Sequence, residues 1–593
     1  MVATPEGAAA EERDDLRSTR EWLETLTSSR RLDRSELLRH YGQYRFEMGW
    51  RVSVEFTDRI REMDVLLPHT FPSDISRIAL VSRPNFGTWP HIEEDGLLCL
   101  PDRTPVAARD PVVDVKAALG AAVALVEDSI AGRNQDDLRN EFVSYWAPGA
   151  TGNRRVVSLL RPKGPSRRIF VWRGTTFDLI ADSDAELRQW LGFNGGTSDP
   201  HRWTVHASVL IWLRQPPLPD LYARTAADLL DLAEAAGVRT ELVDLSTDVD
   251  QDGILAVIGA TTENGAVFGA IGLRSPKNVV NQKGFRRLPS DVHVARYFAP
   301  AVAIERFVVD RADPQWVHGR GGDPRLPQLR QSSVVVIGAG SVGAPLALAL
   351  AQAGVGHIES IDPDSLSWGN LGRHPLGADC VGRNKAESVV ERLRRSLPHI
   401  RAARGHGRRW EDVARNTPQV LESADVIVSA LGDWSAESTL NRWHLSRGRN
   451  MPVVYTWTEP HACAGHAVVV TASGGCFRCG FRDDATPVLR VTDWPNGKTH
   501  RQEPGCGSLF QPYGPVELMH TVAIATETVL DALDGTLHDS KHRVWAASRE
   551  FVERAGGRWT QEWARRSRDI GGVVEVFDWT QSVSCPECGQ QLA

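Results

Sequence analysis

The sequence predicts a multidomain α/β protein whose last block is a doubly wound, largely parallel sheet. Its 593 residues are enough for three or four domains, each with its own core. Two Pro/Gly/Arg-rich stretches, a linker at 148–168 and a connector at 311–332, divide the chain into three blocks. In the last block, 333–593, apolar strand-like runs alternate with helix-like runs, which is typical of such a sheet.

The first block, residues 13–147, predicts an α+β domain. Residues 13–28 have the apolar spacing of an amphipathic helix, and 45–67 alternate polar and apolar side chains as a strand meander does. Pro-rich turns follow, and then a helix at 112–130. We expect residues 1–12 to be a disordered leader, because they lack the hydrophobic region of a signal peptide.

The middle block, residues 169–310, predicts a small α/β connecting domain. Its helix lies around 226–236. The strand-like runs are at 168–172, 205–213, 253–261 and 266–273. None of these runs carries a motif that indicates a function.

Composition and charge argue against two classes of partner. The net charge of −7 is unlike that of nucleic-acid-binding proteins, whose surfaces concentrate basic residues. No apolar run reaches the length of a membrane span. We therefore expect a cytoplasmic protein without nucleic-acid or membrane partners. In that compartment we expect the eight cysteines not to form disulfides: six are candidate metal ligands or nucleophiles, and Cys380 and Cys463 are expected to be packing residues.

A glycine-rich turn predicts a nucleotide site. Gly338, Gly340 and Gly343 follow an apolar strand and precede a small-residue helix, so backbone amides and a helix N-terminus can hold a phosphate. Asp362 lies 19 residues after Gly343, near the spacing of an acid that binds a ribose. The glycines alone leave both NAD and ATP open.

The residues after this turn favour ATP. Asn370, Arg373 and Lys385 follow the second strand, and Asp433 ends a later apolar strand. An amide, two cations and a carboxylate at strand ends suit a triphosphate with Mg²⁺. A hydride-transfer enzyme needs no such set.

These motifs resemble the ubiquitin-activating-enzyme superfamily, which includes the bacterial adenylating enzymes for sulfur-carrier proteins. The resemblance covers most of 333–593 and rests on GAGSVG, IDPDSLSWGNLGRH, VGRNKAES, GCFRCG, PGCGSLFQPYG and CPECG. It implies a Rossmann-like adenylation domain and a homodimer. Two positions depart from the family, since His374 replaces a glutamine and Trp434 an asparagine. The resemblance implies that the three glycines hold the nucleotide, that Asp362 binds the ribose and that Asp433 binds Mg²⁺. The implied phosphate contacts are Asn370, Arg373, Lys385 and an upstream Arg320.

Two Cys-x-x-Cys pairs predict a structural zinc site. Cys476 and Cys479 form one pair, and Cys585 and Cys588 form the other. Four thiolates fill a tetrahedral Zn²⁺ shell and leave no open position, so the site would clamp the C-terminal tail to the domain. The resemblance implies the same zinc. Other histidines, His466 among them, show no metal-ligand spacing.

Two further cysteines are candidate nucleophiles. Cys506 stands in a Gly-rich stretch before a helix, where a thiolate has a lowered pKa, and the activating family can carry its acceptor cysteine there. Cys99 ends the pattern Pro-His-Ile-x-x-x-Gly-x-x-Cys, which resembles ubiquitin-conjugating enzymes over about 13–147. His91 stands where that family has asparagine, and a histidine can also donate a hydrogen bond to an oxyanion or its loop. Inert thiols, and a conjugating fold that only binds partners, are the alternatives.

Together the two resemblances imply an ATP-dependent protein-conjugating enzyme. A protein C-terminus would be adenylated, captured on Cys506, passed to Cys99 and joined to a target amine, usually a lysine. Such fusions resemble the ligases of type II CBASS antiphage systems, whose cargo is a cyclic-oligonucleotide synthase; related operons use a ubiquitin-like protein. The alternatives are a sulfur-carrier adenylating enzyme with a binding-only N-terminal domain, a nucleotide-binding scaffold and, last, an oxidoreductase.

Overall fold

The protein is described by a computed structural model over residues 16–26, 28–100, 110–152, 154–194, 203–247, 253–274, 290–319, 322–397, 400–495, 497, 499–502, 509–566 and 571–589. It forms two compact units, Met1–Leu187 with Thr204–Asp310 and Arg188–Trp203 with Arg311–Ala593. The leader predicted at 1–12 lies outside the described residues. Among the described helices none has the length and apolar content of a membrane span.

An antiparallel meander with three helices opens the first unit. Its elements are α1 (16–25), β1 (Arg30–Arg31), α2 (Arg34–Tyr41), β2 (Phe46–Glu55), β3 (Ile60–Pro68), β4 (Arg77–Leu80) and α3 (Pro111–Ile130). The strands pair in chain order. The alternating residues of β2 and β3 bury Trp50 and Met63, and Val115 and Ala122 of α3 belong to the same core. The strand meander and the α3 helix lie where the sequence predicts them.

A closed seven-stranded barrel follows in the same unit. Its strands are β5 (Arg155–Ser158), β6 (Arg167–Arg173), β7 (Phe177–Ala181), β8 (Val205–Trp212), β9 (Ile254–Thr262), β10 (Gly265–Leu273) and β11 (Glu305–Arg311). They close in the order β10-β11-β5-β7-β6-β8-β9. The first strand comes from residues that the sequence predicts as a linker, because the two valines of β5 are surrounded by Gly, Pro and Arg.

Five helices accompany the barrel. They are α4 (Asp137–Asn140), α5 (Phe142–Trp146), α7 (Ala226–Ala235), α8 (Arg239–Ser246) and α9 (Ser290–Tyr297). A sixth, α6 (Asp184–Asn194), begins in the first unit and ends in the second. Trp146 of α5 is buried, and its indole N–H donates to the carbonyl of Phe307 in β11 at 2.9 Å. The guanidinium of Arg306 lies 5.2 Å from the same ring. These contacts join the end of the conjugating-like block to the barrel.

An eight-stranded sheet forms the centre of the second unit. The strands of this unit are β12 (Ser333–Ile337), β13 (His357–Ile361), β14 (Ala402–His406), β15 (Val426–Ser429), β16 (Val453–Thr458), β17 (Ala464–Val470), β18 (Thr492–Asp493), β19 (Arg501–Gln502), β20 (Leu509–Phe510), β21 (Lys541–Ala546), β22 (Arg558–Trp559) and β23 (Val574–Asp578). The sheet order is β14-β13-β12-β15-β16-β17-β21-β23, and its first five strands are parallel to one another. The predicted parallel sheet is confirmed for these five strands, whereas β17, β21 and β23 join it in antiparallel pairings.

Helices of the second unit bring the predicted residues to one edge of this sheet. They are α10 (Pro314–Gly319), α11 (Leu326–Leu329), α12 (Gly343–Ala353), α13 (Lys385–Ser396), α14 (Trp410–Asn416), α15 (Gln419–Glu422), α16 (Trp434–Ser446), α17 (Pro515–Leu533), α18 (Arg549–Arg554) and α19 (Gln561–Arg566). α10 and α11 lie in the predicted connector. Because β12 and β15 are parallel, the turns that lead from them to α12 and α16 lie at the same sheet edge, where such sheets bind ligands.

Candidate functional site

The turn between β12 and α12 requires glycine at two positions, for different reasons. Gly338 has a φ of +92°, a backbone conformation that strains any side chain. Gly343 has no room for a Cβ, which would lie 1.8 Å from the carbonyl oxygen of Gly338. Gly340 differs, since an added Cβ would meet no described heavy atom within 4 Å. The space beside Gly340 is therefore open to a ligand.

Two buried side chains satisfy both polar groups of Ala339 inside this turn. Asp362 accepts the Ala339 N–H through Oδ2 at 2.7 Å. His374 Nε2 donates to the Ala339 carbonyl at 2.8 Å, because its Nδ1 accepts the N–H of Leu376 at 3.2 Å. Burial lowers the pKa of His374, which keeps the ring neutral. The histidine that departs from the family therefore supplies a hydrogen-bond donor to the turn.

Three other predicted nucleotide-binding residues have partners within the protein. Asn370 Oδ1 accepts the N–H and the hydroxyl of Ser367 at 3.1 and 3.0 Å. Lys385 Nζ lies 3.1 Å from Asp364 Oδ2. Asp433 accepts a backbone N–H of the first turn of α16 at 2.7 Å and remains exposed. A carboxylate has room for further partners, so Asp362 and Asp433 keep acceptor capacity for a ligand or a metal.

A cleft of about 530 Å³ lies against the glycine turn. Gly340, Ser341, Arg373 and Gly432 are among its lining residues. It therefore brings together the predicted phosphate-binding turn after β12, the predicted phosphate-binding arginine and the residue before Asp433. Arg373 and the open turn suit an anionic ligand. Asp362, Asn370, Lys385 and Asp433 are not among the residues that line this cleft.

The structure adds a buried carboxyl group to this cleft. Glu437 lies on α16, one helical turn after Asp433, and accepts the Ser429 hydroxyl at 2.9 Å. Burial raises the pKa of Glu437 to about 8, so the group is mostly protonated at pH 7. The i, i+4 spacing from Asp433 was the sequence signal that could have indicated it.

The four paired cysteines form one cluster. Their sulfur atoms all lie within 4.8 Å of one another. Cys476 Sγ lies 3.7 Å from Cys585 Sγ, and Cys479 Sγ lies 3.3 Å from Cys588 Sγ. A tetrahedral Zn²⁺ with bonds of about 2.3 Å separates its sulfurs by about 3.8 Å, whereas a disulfide bond is about 2.05 Å long. The spacing therefore fits a metal and not disulfides.

Cys99 has an exposed thiol in a second cleft, of about 590 Å³. Its backbone N–H donates to the carbonyl of His91 at 2.9 Å. Partial burial raises the pKa of the Cys99 thiol, and the charges of Glu141 and Glu93 raise it further. At neutral pH this thiol is therefore mostly protonated.

His91 is held by two carboxylates and a tyrosine. Its Nε2 lies 3.0 Å from Asp137 Oδ2 and its Nδ1 lies 3.2 Å from Glu141 Oε1. Its backbone has a φ of +61°, and its N–H donates to the Tyr145 hydroxyl at 2.8 Å. The hydrogen bond to Glu141 raises the pKa of His91 against the opposing effect of burial. Both ring nitrogens already face acceptors, which points to a positioning role rather than to hydrogen bonding with an oxyanion.

A buried hydrogen-bonded network lies where the sequence suggested no function. His466 Nε2 is 3.1 Å from Glu459 Oε1, and its Nδ1 is 3.0 Å from His542 Nε2. Glu459 also accepts the backbone N–H groups of Val491 and Thr492, each at 2.7 Å. All three ionisable side chains are buried. No short-range sequence spacing indicates this network, because its partners come from four separate segments.

Two predicted site residues lie outside the described part of the chain, namely Cys506 and Arg320. Residues 503–508, which include Cys506, connect β19 to β20. Those two strands pair with each other, Arg501 opposite Phe510 and Gln502 opposite Leu509.

Gly340→Ala is expected to weaken binding of ATP–Mg²⁺ more than tenfold while leaving thermal unfolding unchanged. The added methyl group fits the free protein but occupies the space beside the turn. Gly343→Ala is the matched control, and its methyl group clashes with the backbone, so it should also lower the unfolding temperature. Calorimetric titration and thermal denaturation measure the two effects. Unchanged ATP affinity in Gly340→Ala would contradict this assignment of the turn.

The His91 imidazole is expected to titrate above its ordinary pKa of about 6.5. A raised pKa means that its contacts stabilise the fold fully below pH 6.5 and lose that effect as the pH rises through the folded value. NMR titration of the His91 ring checks this expectation. Glu141→Gln and Asp137→Asn should each lower the measured pKa, and a wild-type value at or below 6.5 would refute the arrangement.

Known proteins resemble both parts of the chain. The model of the ThiF family matches residues 315–551, and that of prokaryotic E2 family B matches 27–152. "ATP-dependent ubiquitin transferase-like protein Cap2" from Pseudomonas aeruginosa is 24% identical over 509 residues, which are 83% of this chain and 88% of that protein. A Cap2 from Enterobacter hormaechei subsp. hoffmannii is 40% identical over 108 residues, 18% of this chain and 17% of that protein.

A third relative matches a shorter part. "Adenylyltransferase and sulfurtransferase MOCS3" from Aedes aegypti is 33% identical over 199 residues, which are 33% of this chain. The chain spans only 42% of the length of that protein. The two family resemblances inferred from the motifs are confirmed. The chain therefore joins a prokaryotic E2 family B domain to a ThiF-family domain.

Proposed function

We propose that this protein is an ATP-dependent conjugating enzyme that joins a protein C-terminus to a target amine. The observation that carries the proposal is the presence, in one chain, of a cleft lined by Gly340 and Arg373 and of an exposed thiol at Cys99. The first suits adenylation and the second suits acyl transfer. The Cap2 protein from Pseudomonas, which matches most of this chain, is described as an ATP-dependent ubiquitin transferase-like protein.

The first step is adenylation. A C-terminal carboxylate oxygen attacks the α-phosphate of ATP, and the bond to pyrophosphate breaks, leaving an acyl-adenylate. Amides of the turn at Gly340, with Arg373 and Lys385, would offset the phosphate charge. Asp433 would hold Mg²⁺, and Asp362 would bind the ribose. Mg²⁺ supplies charge neutralisation on the phosphates when it is bound.

Two thiol steps follow. The Cys506 sulfur attacks the acyl carbonyl and AMP leaves, which forms a thioester and releases the thiol proton. The Cys99 sulfur then attacks this thioester, and the proton of the Cys99 thiol passes to the Cys506 sulfur, which leaves as the thiol. Finally a neutral lysine amine attacks the Cys99 thioester, an amide forms, and the proton lost by the nitrogen restores the Cys99 thiol. Because the Cys99 thiol is mostly protonated, its attack needs a base, and Glu93 and Glu141 line the same cleft.

His91 acts in this scheme as a positioning residue. Its carbonyl accepts the Cys99 N–H, and its ring and N–H are held by Asp137, Glu141 and Tyr145. The contacts stabilise a left-handed backbone that a non-glycine residue rarely adopts. The loop next to the thiol is thereby fixed before the acyl group arrives.

The cargo and setting follow from the same proposal. We infer a role in bacterial antiphage defence of the CBASS type, with a cyclic-oligonucleotide synthase or a ubiquitin-like protein as cargo. Lysine-bearing proteins would be the targets, and the enzyme would act as a cytoplasmic homodimer. The match to the mosquito adenylyltransferase and sulfurtransferase favours one alternative, a sulfur-carrier adenylating enzyme whose N-terminal domain only binds partners.

Substitution of Cys99 separates these functions. Cys99→Ala should keep the ATP-dependent, thiol-sensitive adduct on Cys506 and lose the amide product, because the second carrier is missing. Cys99→Ser should trap a thiol-resistant ester, and Cys506→Ala should lose every adduct. Each variant is incubated with ATP and candidate cargo. Gel electrophoresis and mass spectrometry then detect the adducts and the amide product. Cys380→Ala, which alters a buried thiol, is the control. Full activity of Cys99→Ala would refute the relay and support the alternative.

We also propose that the four-cysteine cluster holds one structural Zn²⁺. Native mass spectrometry should find one zinc per chain, and a strong chelator should lower the unfolding temperature by several degrees. The pairs lie far apart in sequence, so the metal would fasten the last strand and tail to the domain. Cys588→Ala should lose the metal, whereas Cys463→Ala, which alters a buried cysteine outside the cluster, should keep it. A metal-free wild-type protein with unchanged stability would contradict this proposal.

A further inference from the structure

Part of the nucleotide cleft is lined by residues that the sequence analysis gave no role. His500, Phe510, Gln511 and Tyr513 belong to this lining. Two of them stand next to the β19–β20 pair and Phe510 lies within it. Tyr513 follows the pair and precedes α17, which begins at Pro515.

Tyr513 contacts two nucleotide-site residues at once. Its hydroxyl lies 3.0 Å from the Ser341 hydroxyl, within the glycine-rich turn. The guanidinium carbon of Arg373 lies 5.1 Å from the centre of its ring. The first contact is a hydrogen bond, and the second is within the range of a cation–π interaction. One side chain therefore holds both the turn and the predicted phosphate-binding cation.

We propose that Tyr513 is a positioning residue that couples the nucleotide site to the β19–β20 pair. The ring limits the rotamers of Arg373, which otherwise loses conformational entropy when it binds a phosphate. The hydroxyl fixes Ser341 beside the open space at Gly340. The inference rests on the proposed function, because it takes the ligand of this cleft to be ATP.

The β19–β20 pair depends on such an anchor. Each strand has two residues, and a ladder of this size is marginally stable by itself. On the side before β19, the chain is fixed where buried Glu459 accepts the N–H groups of Val491 and Thr492. On the side after β20, it is fixed at Tyr513. The pair is thus held between a buried carboxylate and the nucleotide cleft.

Coupling of this kind works in both directions. If contacts of Tyr513 favour the nucleotide-binding arrangement of Arg373 and Ser341, bound nucleotide must equally favour the anchored arrangement of 509–513. ATP would then order the strand pair that flanks the predicted thioester cysteine. Nucleotide binding would then affect both the adenylation site and the strand pair beside the predicted acceptor cysteine.

Binding of ATP–Mg²⁺ to the full chain, measured by calorimetry without cargo, tests the inference. Tyr513→Phe keeps the ring and loses the hydroxyl, so we expect about threefold weaker binding. Tyr513→Leu loses both contacts, and we expect about tenfold weaker binding. Ser341→Ala should match Tyr513→Phe, and the double variant should bind no more weakly than either alone. Tyr44→Phe, which removes a tyrosine hydroxyl from the other unit, should bind like the wild type.

Hydrogen exchange distinguishes coupling from a purely structural role of Tyr513. A purely structural role would not make the exchange rate at 509–513 depend on nucleotide. ATP–Mg²⁺ should slow amide exchange at 509–513 in the wild type and in Tyr513→Phe, and should not do so in Tyr513→Leu at saturating nucleotide. Wild-type affinity in Tyr513→Leu, or additive losses in the double variant, would overturn the inference while leaving adenylation possible. A wild-type protein that binds no ATP would overturn the proposed function itself, and the inference with it.

Discussion

The cleft proposed to bind ATP depends on the backbone pairing of one residue. Ala339 follows Gly338 in the turn after β12, and Asp362 and His374 satisfy its N–H and its carbonyl. A buried residue whose N–H and carbonyl lacked these partners would cost the free energy of two lost hydrogen bonds. Because Ala339 is satisfied from within the protein, the turn needs no ligand to complete its hydrogen bonds. The open space at Gly340 is therefore formed in advance, and binding does not have to order the turn.

The conjugating-like site follows the same physical logic with other residues. A backbone carbonyl beside the Cys99 thiol is fixed because His91 is held in a left-handed conformation by Asp137, Glu141 and Tyr145. Asp137 lies on α4, Tyr145 on α5 and Glu141 between the two helices, and α5 packs into the barrel through Trp146. The barrel thus supports the loop next to the thiol. In both sites, polar side chains of separate segments fix the backbone beside the proposed reacting position.

Features that depend on residues close together in the sequence could be predicted from short sequence patterns. The glycine turn, the two cysteine pairs and the helix at 226–236 each follow from short spacings, and the structure places them accordingly. The barrel could not be predicted, because closing it places β11 beside β5, where Arg155 and the bonded Asp310 are 155 residues apart, and β5 is hidden in a Gly/Pro-rich stretch. Tyr513 was missed for the same reason, since 172 residues separate it from Ser341.

The buried carboxyl group of Glu437 bears on the charge balance of the cleft. ATP carries about four negative charges, and two ionised carboxylates one helical turn apart would repel it and each other. Burial raises the pKa of Glu437 to about 8, so at pH 7 most molecules keep it neutral while the exposed Asp433 remains available to a cation. A neutral carboxyl can still accept the Ser429 hydroxyl and fix the start of α16. The cleft thus gains the polar contact of a second acid without the charge that would oppose a triphosphate.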